Sequence, residues 1–177
     1  MKILLHSCCA PCSTPCLTAL KEEGHEVSLY WFNPNIHPYT EYRSRRESLR
    51  HLAAHEGVPL IEEDQYGLRS FIEGTRGMED REGGRCTYCY KERLRSAAKT
   101  AAEQGFGAFS TSLLISPYQD HGAIKAMGEE WSRHFGIEFF YRDFRPLFRT
   151  GQDLARERGY YMQSYCGCIY SEEERYR

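Results

Sequence analysis

The eight cysteines of this 177-residue chain form three groups, and they are the residues with the most chemistry to offer. The groups are Cys8, Cys9, Cys12 and Cys16 near the start, Cys86 and Cys89 in the middle, and Cys166 and Cys168 near the end. Thiolate sulfur is a preferred ligand of zinc and of iron–sulfur clusters, and paired thiols also exchange two electrons. The pattern therefore predicts metal or redox chemistry at a site that the fold assembles from distant segments.

A framework of structural disulfides is the alternative, and the composition argues against it. Small secreted domains held by disulfides have a higher density of cysteine than eight in 177 residues. The start of the chain has only Ile3, Leu4 and Leu5 as an apolar run, which is too short for the core of a signal peptide. No stretch reads as a bilayer span. We therefore expect a soluble protein of the reducing cytoplasm, without a membrane partner.

The net charge is −2, from 23 Lys and Arg against 25 Asp and Glu, so the overall charge does not indicate a nucleic-acid partner. Basic residues nevertheless crowd three segments, at residues 43–50, 91–99 and 142–158. Such segments are usually solvated helix faces, but they can bind phosphates where an aromatic-rich site lies beside them. The 13 Tyr and 9 Phe keep this second interpretation open.

Strand and helix patterns alternate along the chain. Strands are predicted at residues 2–7, 25–32, 58–62, 109–115 and 137–141. Two helices are predicted to follow the caps Ser13 and Thr40. Three more are predicted from Cys86 to about residue 104, from the segment after Pro117 to about residue 134, and at residues 153–158. The charged stretch before Cys86, with Gly83 among its glycines, is predicted as a loop.

This alternation predicts the α/β class, with a single domain over residues 1–177. The sheet is expected to be mostly parallel, with helices on both of its faces. Ligands of such sheets bind outside the carboxyl ends of the strands, near the point where the strand order reverses. Cys8 and Cys9 follow the first predicted strand, so they lie at such an end.

Cys8 and Cys9 can combine with Cys86 and Cys89 into one set of four thiolates. Adjacent cysteines rarely form a disulfide with each other, but they can bind two irons of one cluster. Cys86 and Cys89 open the long predicted helix, where free N–H groups and the helix dipole stabilise thiolates. The same four ligands suit a [4Fe–4S] cluster or a structural zinc ion, and their spacing does not choose between the two.

Cys166 and Cys168 flank Gly167 in a CxC pair. A disulfide within this pair would close a small, strained ring that is easily reduced, which suits a redox centre better than a structural bridge. The pattern therefore favours a redox-active pair, with a pair of metal ligands as the alternative. Cys12 is compatible with a proton donor, with a ligand of an additional metal ion or with neither role, and Cys16 is expected to be buried.

Polar residues at predicted strand ends are further candidates for the site. His121 lies at a predicted turn between a strand and a helix, and Asp120 beside it is a candidate acid or metal ligand. His6 and His37 lie at strand ends near the same site. For each histidine, a structural hydrogen-bonding role is the simpler alternative.

Five segments together resemble QueH-type epoxyqueuosine reductases. In chain order they are LLHSCCAPCS (4–13), FNPNIHPYTEY (32–42), CTYCYKERL (86–94), STSLLISPYQDH (110–121) and YCGCIYS (165–171). Each segment alone is a weak match. All five in this order, with the three cysteine pairs in place, make a specific resemblance that covers most of the chain.

The resemblance implies an oxidoreductase that reduces epoxyqueuosine to queuosine at the wobble position of tRNA, in a two-electron, cobalamin-independent reaction. It implies a [4Fe–4S] cluster on Cys8, Cys9, Cys86 and Cys89, and a redox-active disulfide of Cys166 and Cys168. The implied fold is similar to the α/β nucleotide-hydrolase group (PP-loop or HUP-like), with HSCCAPCS in the position of the phosphate-binding loop. The implied partners are tRNA carrying epoxyqueuosine and an external electron donor.

An RNA substrate of this kind would also need groups that bind an unpaired base and its phosphates. Single-stranded bases commonly stack on aromatic side chains. The candidates beside the five segments are Tyr39, Tyr42, Tyr88, Tyr90 and Tyr118. The three basic segments are the candidates for the phosphates.

Two functions of other classes are alternatives to the reductase. A zinc-stabilised RNA-binding module without catalysis would use the same four thiolate ligands. A thiol–disulfide oxidoreductase acting on proteins would use the CxC pair, but it leaves the other thiols unexplained.

Overall fold

A parallel sheet of five strands forms the centre of the structure, which is a computed structural model describing residues 1–82 and 84–177. The strands are β1 (Lys2–His6), β2 (Glu26–Trp31), β3 (Leu60–Glu62), β4 (Ala108–Thr111) and β5 (Glu138–Phe139). Their spatial order is β3–β2–β1–β4–β5, and every neighbouring pair is parallel. The predicted α/β class is confirmed. Gly83, in the predicted loop, lies outside the described residues.

Seven α-helices occur in the described part of the chain. They are α1 (Ala10–Glu22), α2 (Tyr39–Glu56), α3 (Leu68–Gly74), α4 (Cys86–Glu103), α5 (His121–Phe135), α6 (Phe148–Glu157) and α7 (Ile169–Tyr176). α1 packs against α2 and α6, whereas α4 packs against α5 and against the central strands, so helices cover both faces of the sheet. Within the same ranges, no helix combines the length and the apolar composition that a membrane span requires.

Several predicted boundaries are wrong at the helix starts. α1 begins at Ala10, ahead of the predicted cap Ser13, because Cys9 has an extended backbone and Pro11 fits the first turn of a helix. α2 begins at Tyr39, ahead of the predicted cap Thr40. The fifth predicted helix is also longer than expected, because α6 begins at Phe148.

Two short helices were not predicted at all, and each of the five strands is shorter than predicted. α3 lies inside the predicted loop and buries Phe71, while α7 follows the CxC pair. Helices this short depend on tertiary contacts more than on their own propensity, so the sequence pattern does not reveal them. β4 ends at Thr111, and a 3-10 turn at Ser112–Ile115 replaces the rest of the predicted strand.

The carboxyl ends of β1 and β4 form the switch point of the sheet. The chain leaves β1 through α1 towards β2, and it leaves β4 through α5 towards β5 on the other side. Crevices at such points are where open α/β sheets bind their ligands. Cys8 and Cys9 follow β1 here, and Ser112 follows β4.

A close approach between α1 and α6 positions the helix that follows these cysteines. It depends on Gly151, because a Cβ at this residue would lie 2.7 Å from Pro15 Cγ and 2.8 Å from the Pro11 carbonyl oxygen. We expect Gly151→Ala to lower the free energy of unfolding by about 1–3 kcal/mol, because the helices must separate. Equilibrium unfolding in urea measures this change.

Gly122→Ala is the matched control for this substitution, because Gly122 lies in α5 and an added Cβ would meet only Asp120 Oδ1, at 3.6 Å. It should leave the unfolding free energy unchanged or slightly higher. Equal losses for the two variants would contradict the packing argument.

Candidate functional site

Three thiols meet at the end of β1 and the start of α1. The Sγ atoms of Cys8, Cys9 and Cys12 lie within 4.8 Å of one another, and those of Cys8 and Cys9 are 3.9 Å apart. Ser112, at the end of β4, fixes Cys8 by accepting its backbone N–H at 3.3 Å. The Gln163 amide Nε2 donates to Cys9 Sγ at 3.1 Å. The triad therefore has the geometry of a metal-binding group.

Hydrogen bonds among the three thiols and their burial separate their pKa values. Hydrogen bonds from Cys12 and then Cys9 lower the pKa of Cys8 well below its ordinary value. Burial raises the pKa of Cys9, and hydrogen bonding to Cys8 raises the pKa of Cys12. Cys8 is therefore the first of the three to become a thiolate, and its two neighbours stabilise it as donors.

A second group of thiols lies on α4, close to the buried guanidinium of Arg93. Arg93 Nη2 donates to Cys89 Sγ at 3.0 Å, one helical turn away. Burial on its own would lower the pKa of Arg93, but the neighbouring thiols of Cys89 and Cys8 raise it above its ordinary value. Arg93 therefore connects the α4 cysteines with the β1 end of the site.

Burial favours the thiol form of the two α4 cysteines. Burial raises the pKa of Cys89 to about 12, and burial also raises the pKa of the half-buried Cys86. Arg93 opposes the effect at Cys89, and Arg81 opposes it at Cys86. A metal ion that bound these sulfurs would therefore have to displace their protons.

The CxC segment lies over this site and is held there through its backbone. Arg45, which is almost fully buried, donates to the carbonyl oxygens of Cys166 at 2.8 Å and Tyr165 at 2.9 Å. The His37 backbone N–H donates to the Gly167 oxygen at 2.8 Å. Gly167 has φ of +150°, and a Cβ there would lie 3.2 Å from Arg45 Nη1. The contact that fixes the segment therefore requires glycine.

The two sulfurs of the CxC pair have different surroundings. Both cysteines are free thiols, but Cys166 is exposed whereas Cys168 is buried. Gln119 Nε2 donates to Cys166 Sγ at 3.1 Å. Cys168 packs in a small apolar cluster with Phe71 and Cys89, and its sulfur accepts the Ser171 N–H at the start of α7.

A cavity of about 870 Å³ opens above the thiols. Its wall includes Cys8, Cys12 and Cys166, together with Arg93. Cations and aromatic residues line the remainder, among them Arg81, Arg149, Arg156, Arg175, Tyr118 and Phe148. A cavity of this size can hold a nucleoside-sized ligand. A second cavity of about 460 Å³ reaches Cys89 and Arg93 from the side of α3.

The histidine and aspartate candidates have structural partners. His6 is fully buried between Thr111 Oγ1 and Asn33 Oδ1, and burial lowers its pKa to about 4. His121 Nε2 donates to the Leu114 carbonyl oxygen at 3.0 Å. Asp120 caps α5 by accepting the Ala123 N–H at 2.9 Å. These hydrogen bonds are sufficient to explain the three residues as structural groups.

The aromatic and basic candidates divide between core and cavity. Tyr42 and Tyr90 are buried in the core, whereas Tyr118 is 72% exposed on the cavity wall. In the first basic segment, Arg45 and Arg46 are buried and paired with Glu41 and Asp64. The sequence analysis expected a solvated helix face or a phosphate-binding surface for that segment. These two arginines belong to neither, because they are buried in ion pairs.

Four residues of the site escaped the sequence analysis as individuals. They are Arg45, Arg93, Gln119 and Gln163. The spacing of four residues between Cys89 and Arg93 could have indicated a contact on one helix face. No local pattern points to the other three, because they reach sulfurs or carbonyls that are distant in sequence.

The fold and the site define an α/β protein with a parallel five-stranded sheet and a group of thiols at the turn after its first strand. A solved structure, the predicted subunit of a tRNA methyltransferase from Methanocaldococcus jannaschii, superposes with a TM-score of 0.56 over 89% of this chain and 76% of its own. Its sequence is 17% identical, so this likeness concerns the fold alone.

The sequence model of the epoxyqueuosine reductase QueH family matches residues 3–174, and the chain belongs to this family. A relative from Dehalococcoides mccartyi is 39% identical over 99% of this chain and 94% of its own. One from Thermotoga maritima is 32% identical over 98% and 91%. Both are named epoxyqueuosine reductase QueH. The predicted family and the predicted enzyme class, an oxidoreductase, are confirmed.

His37 generates a testable pH dependence, because its neutral ring anchors the segment after the CxC pair. Its Nε2 donates to the Pro34 oxygen and its Nδ1 accepts the Ile169 N–H, so the ring has no place for a second proton. Burial lowers the pKa of His37 from 6.5 to about 4. Below pH 6.5 the unfolded chain therefore binds a proton that the folded chain does not. The free energy of unfolding decreases as the pH is lowered from 6.5 towards 4.

We expect the titration of His37 to lower the free energy of unfolding by about 3 kcal/mol when the pH is lowered from 7 to 4. The measurement is the unfolding free energy of the wild type and of His37→Gln across this range. Gln keeps one donor and one acceptor but does not titrate, so its curve should be flatter by that amount. Parallel curves for the two proteins would show that His37 is not the titrating group.

Proposed function

We propose that this chain reduces epoxyqueuosine to queuosine at the wobble position of tRNA, in a two-electron reaction without cobalamin. One observation carries the proposal. Cys8, Cys12 and Cys166 line a single cavity at the switch point, and Arg93 in the same wall contacts Cys89. Thiols from two of the three cysteine groups thus line one place where a modified nucleoside can bind, and Arg93 links this place to the third group.

The proposed ligands of a [4Fe–4S] cluster are Cys8, Cys9, Cys86 and Cys89. Their donor chemistry fits, since a buried Arg93 cation beside the thiols offsets the negative charge of thiolate ligands. Arg93 Nε is also buried without a partner, so the guanidinium retains a donor. A bound cluster would supply one-electron transfer and a Lewis-acidic iron for the epoxide oxygen. Cys12 would remain free for an additional metal ion.

The thiols of Cys166 and Cys168 are the proposed source of the two electrons. Two thiols that form a disulfide release two electrons and two protons, and these convert the epoxide into an alkene and water. The free thiols correspond to the reduced half of this couple. An external electron donor then reduces the disulfide before the next turnover. The reducing cytoplasm, where tRNA is modified, is the compartment that suits this cycle.

The cavity wall supplies the proposed contacts to RNA. Tyr118 is the most exposed aromatic residue of the wall, and Phe148 supports it edge-on with ring centroids 5.9 Å apart. Such a platform can stack on a base that has left the anticodon loop. Arg149 and Arg156 lie beside it for the phosphates.

A zinc-stabilised RNA-binding module without catalysis is the second candidate. The observation in its favour is the Cys8, Cys9 and Cys12 triad, because three thiols within 4.8 Å also suit zinc. The two candidates differ in metal content and in turnover.

Turnover is the direct test of the reductase. Anaerobic incubation of tRNA carrying epoxyqueuosine with the protein and a dithiol reductant, without cobalamin, should give queuosine in nucleoside mass analysis. Cys166→Ser should lower the rate at least about a hundredfold, because the redox pair is lost. Cys16→Ser is the matched control and should keep the rate, because serine can still donate to the Cys12 oxygen. No product with the wild type would exclude the reductase.

Metal analysis separates the two candidates without any assay of activity. Protein purified anaerobically should contain iron and acid-labile sulfide at about four each per chain, with the absorbance of a cubane cluster. Cys86→Ser should lose most of both, because one of the four ligands is gone, whereas Cys16→Ser should keep both. One zinc and no sulfide in the wild type would instead support the RNA-binding module.

A further inference from the structure

The two cysteines of the CxC pair differ in their access to the large cavity. Cys166 is exposed on the wall of the large cavity, and Cys168 is 8% exposed and does not contribute to that wall. Cys168 instead packs with Phe71 and Cys89 on the protein side. A reductant that arrives through the cavity can therefore reach only one of the two sulfurs.

Gln119 holds the exposed sulfur in a fixed position. Its Nε2 donates to Cys166 Sγ, and its Oε1 accepts the Tyr90 hydroxyl at 2.6 Å. Tyr90 in turn accepts the Asp120 backbone N–H at 3.2 Å. This chain of hydrogen bonds sets which end of the amide faces the sulfur, so the N–H side points at Cys166.

Cys168 has the surroundings of a leaving group. Its sulfur accepts the Ser171 N–H at 3.4 Å at the N-terminus of α7, an eight-residue helix. This N–H group and the helix dipole at that end stabilise a departing thiolate. Thiol–disulfide exchange is faster when the sulfur that leaves is the better stabilised one.

We propose that a dithiol reductant attacks Cys166 and that Cys168 is the sulfur displaced, so that electrons enter the pair from the cavity and pass inward. This inference rests on the proposed function, which requires that the pair be reduced again after each turnover. The structure itself supplies the order in which the two sulfurs react.

The exchange balances in two steps. A thiolate of the reductant bonds to Cys166 Sγ, the bond between Cys166 and Cys168 breaks, and its electron pair stays on Cys168, which takes up a proton. The second thiol of the reductant then displaces Cys166, which takes up a proton too. The net result is an oxidised, disulfide-containing reductant and a protein dithiol.

The cavity also has to serve the RNA, since Cys166 shares its wall with Tyr118 and Arg149. The reductant and the tRNA therefore occupy the same space at different times. Bound tRNA is expected to shield Cys166 from small thiol reagents.

The first test measures alkylation of the reduced, anaerobically purified wild type by iodoacetamide, with peptide mass analysis at each time point. Cys166 should react at least about tenfold faster than Cys168, because only Cys166 is accessible. Addition of tRNA should slow the reaction at Cys166. Equal rates, or a faster reaction at Cys168, would overturn the proposal.

The second test traps the intermediate with a matched pair of variants. Cys168→Ser treated with the aromatic disulfide 5,5′-dithiobis(2-nitrobenzoate) should form a lasting adduct on Cys166, because no second thiol resolves it. Cys166→Ser should form the adduct on Cys168 at least about tenfold more slowly. Comparable adducts in the two variants would overturn the order of attack.

Gln119→Glu tests the positioning residue. The variant keeps the shape of the side chain but removes the N–H donor, so alkylation at Cys166 should slow severalfold while the rate at Cys168 is unchanged. An unchanged rate at Cys166 would exclude the role of Gln119.

These measurements are independent of the reductase assay. If the labelling follows the expected order but Cys166→Ser still turns over tRNA at the wild-type rate, the proposed redox role of the pair fails and the order of reactivity stands. If turnover needs both cysteines but they label equally, the inference fails alone.

Discussion

The buried guanidinium of Arg93 is the interaction on which the site depends. A charge that is removed from water needs a counter-charge nearby, and the groups that oppose this one most strongly are Cys89 and Cys8, followed by Cys166 and Tyr90. The burial of Arg93 therefore favours thiolate at the place where burial alone would favour thiol. Because α4 packs against β1 and β4, this one residue couples two cysteine groups that are far apart in sequence.

The start of α1 shows how thiols can replace a phosphate-binding loop. In open α/β sheets, the turn after the first strand commonly presents free N–H groups to an anion. In this chain the N-cap of α1 is Cys9, and Pro11 removes one of those N–H groups. The thiols of Cys8, Cys9 and Cys12 occupy the turn instead. The same positive end of the helix that suits phosphate also suits thiolate, because both are anions.

The CxC segment and α7, at the end of the chain, add Cys166 to the wall of the cavity. The position of the CxC segment depends on residues of other segments, namely Arg45 of α2 and His37 before it, which bind its backbone. α7 is fixed by the buried Arg85, which forms two hydrogen bonds with Glu174 at 2.7 and 2.8 Å. The segment is thus attached at both ends, and the Cys166 sulfur lies on the cavity wall between the attachments.

The sequence by itself determined the α/β class, the parallel sheet, the family and the cysteine groups, because strand and helix periodicities and short motifs are local. It did not reveal α3 or α7, whose stability comes from contacts such as Phe71 and Glu174 with distant residues. Only the tertiary structure decided that Cys12 joins Cys8 and Cys9, that Arg93 is buried, and that Cys166 and Cys168 differ in exposure. The physical reason is that burial and the partners of a charge depend on segments that meet only after folding.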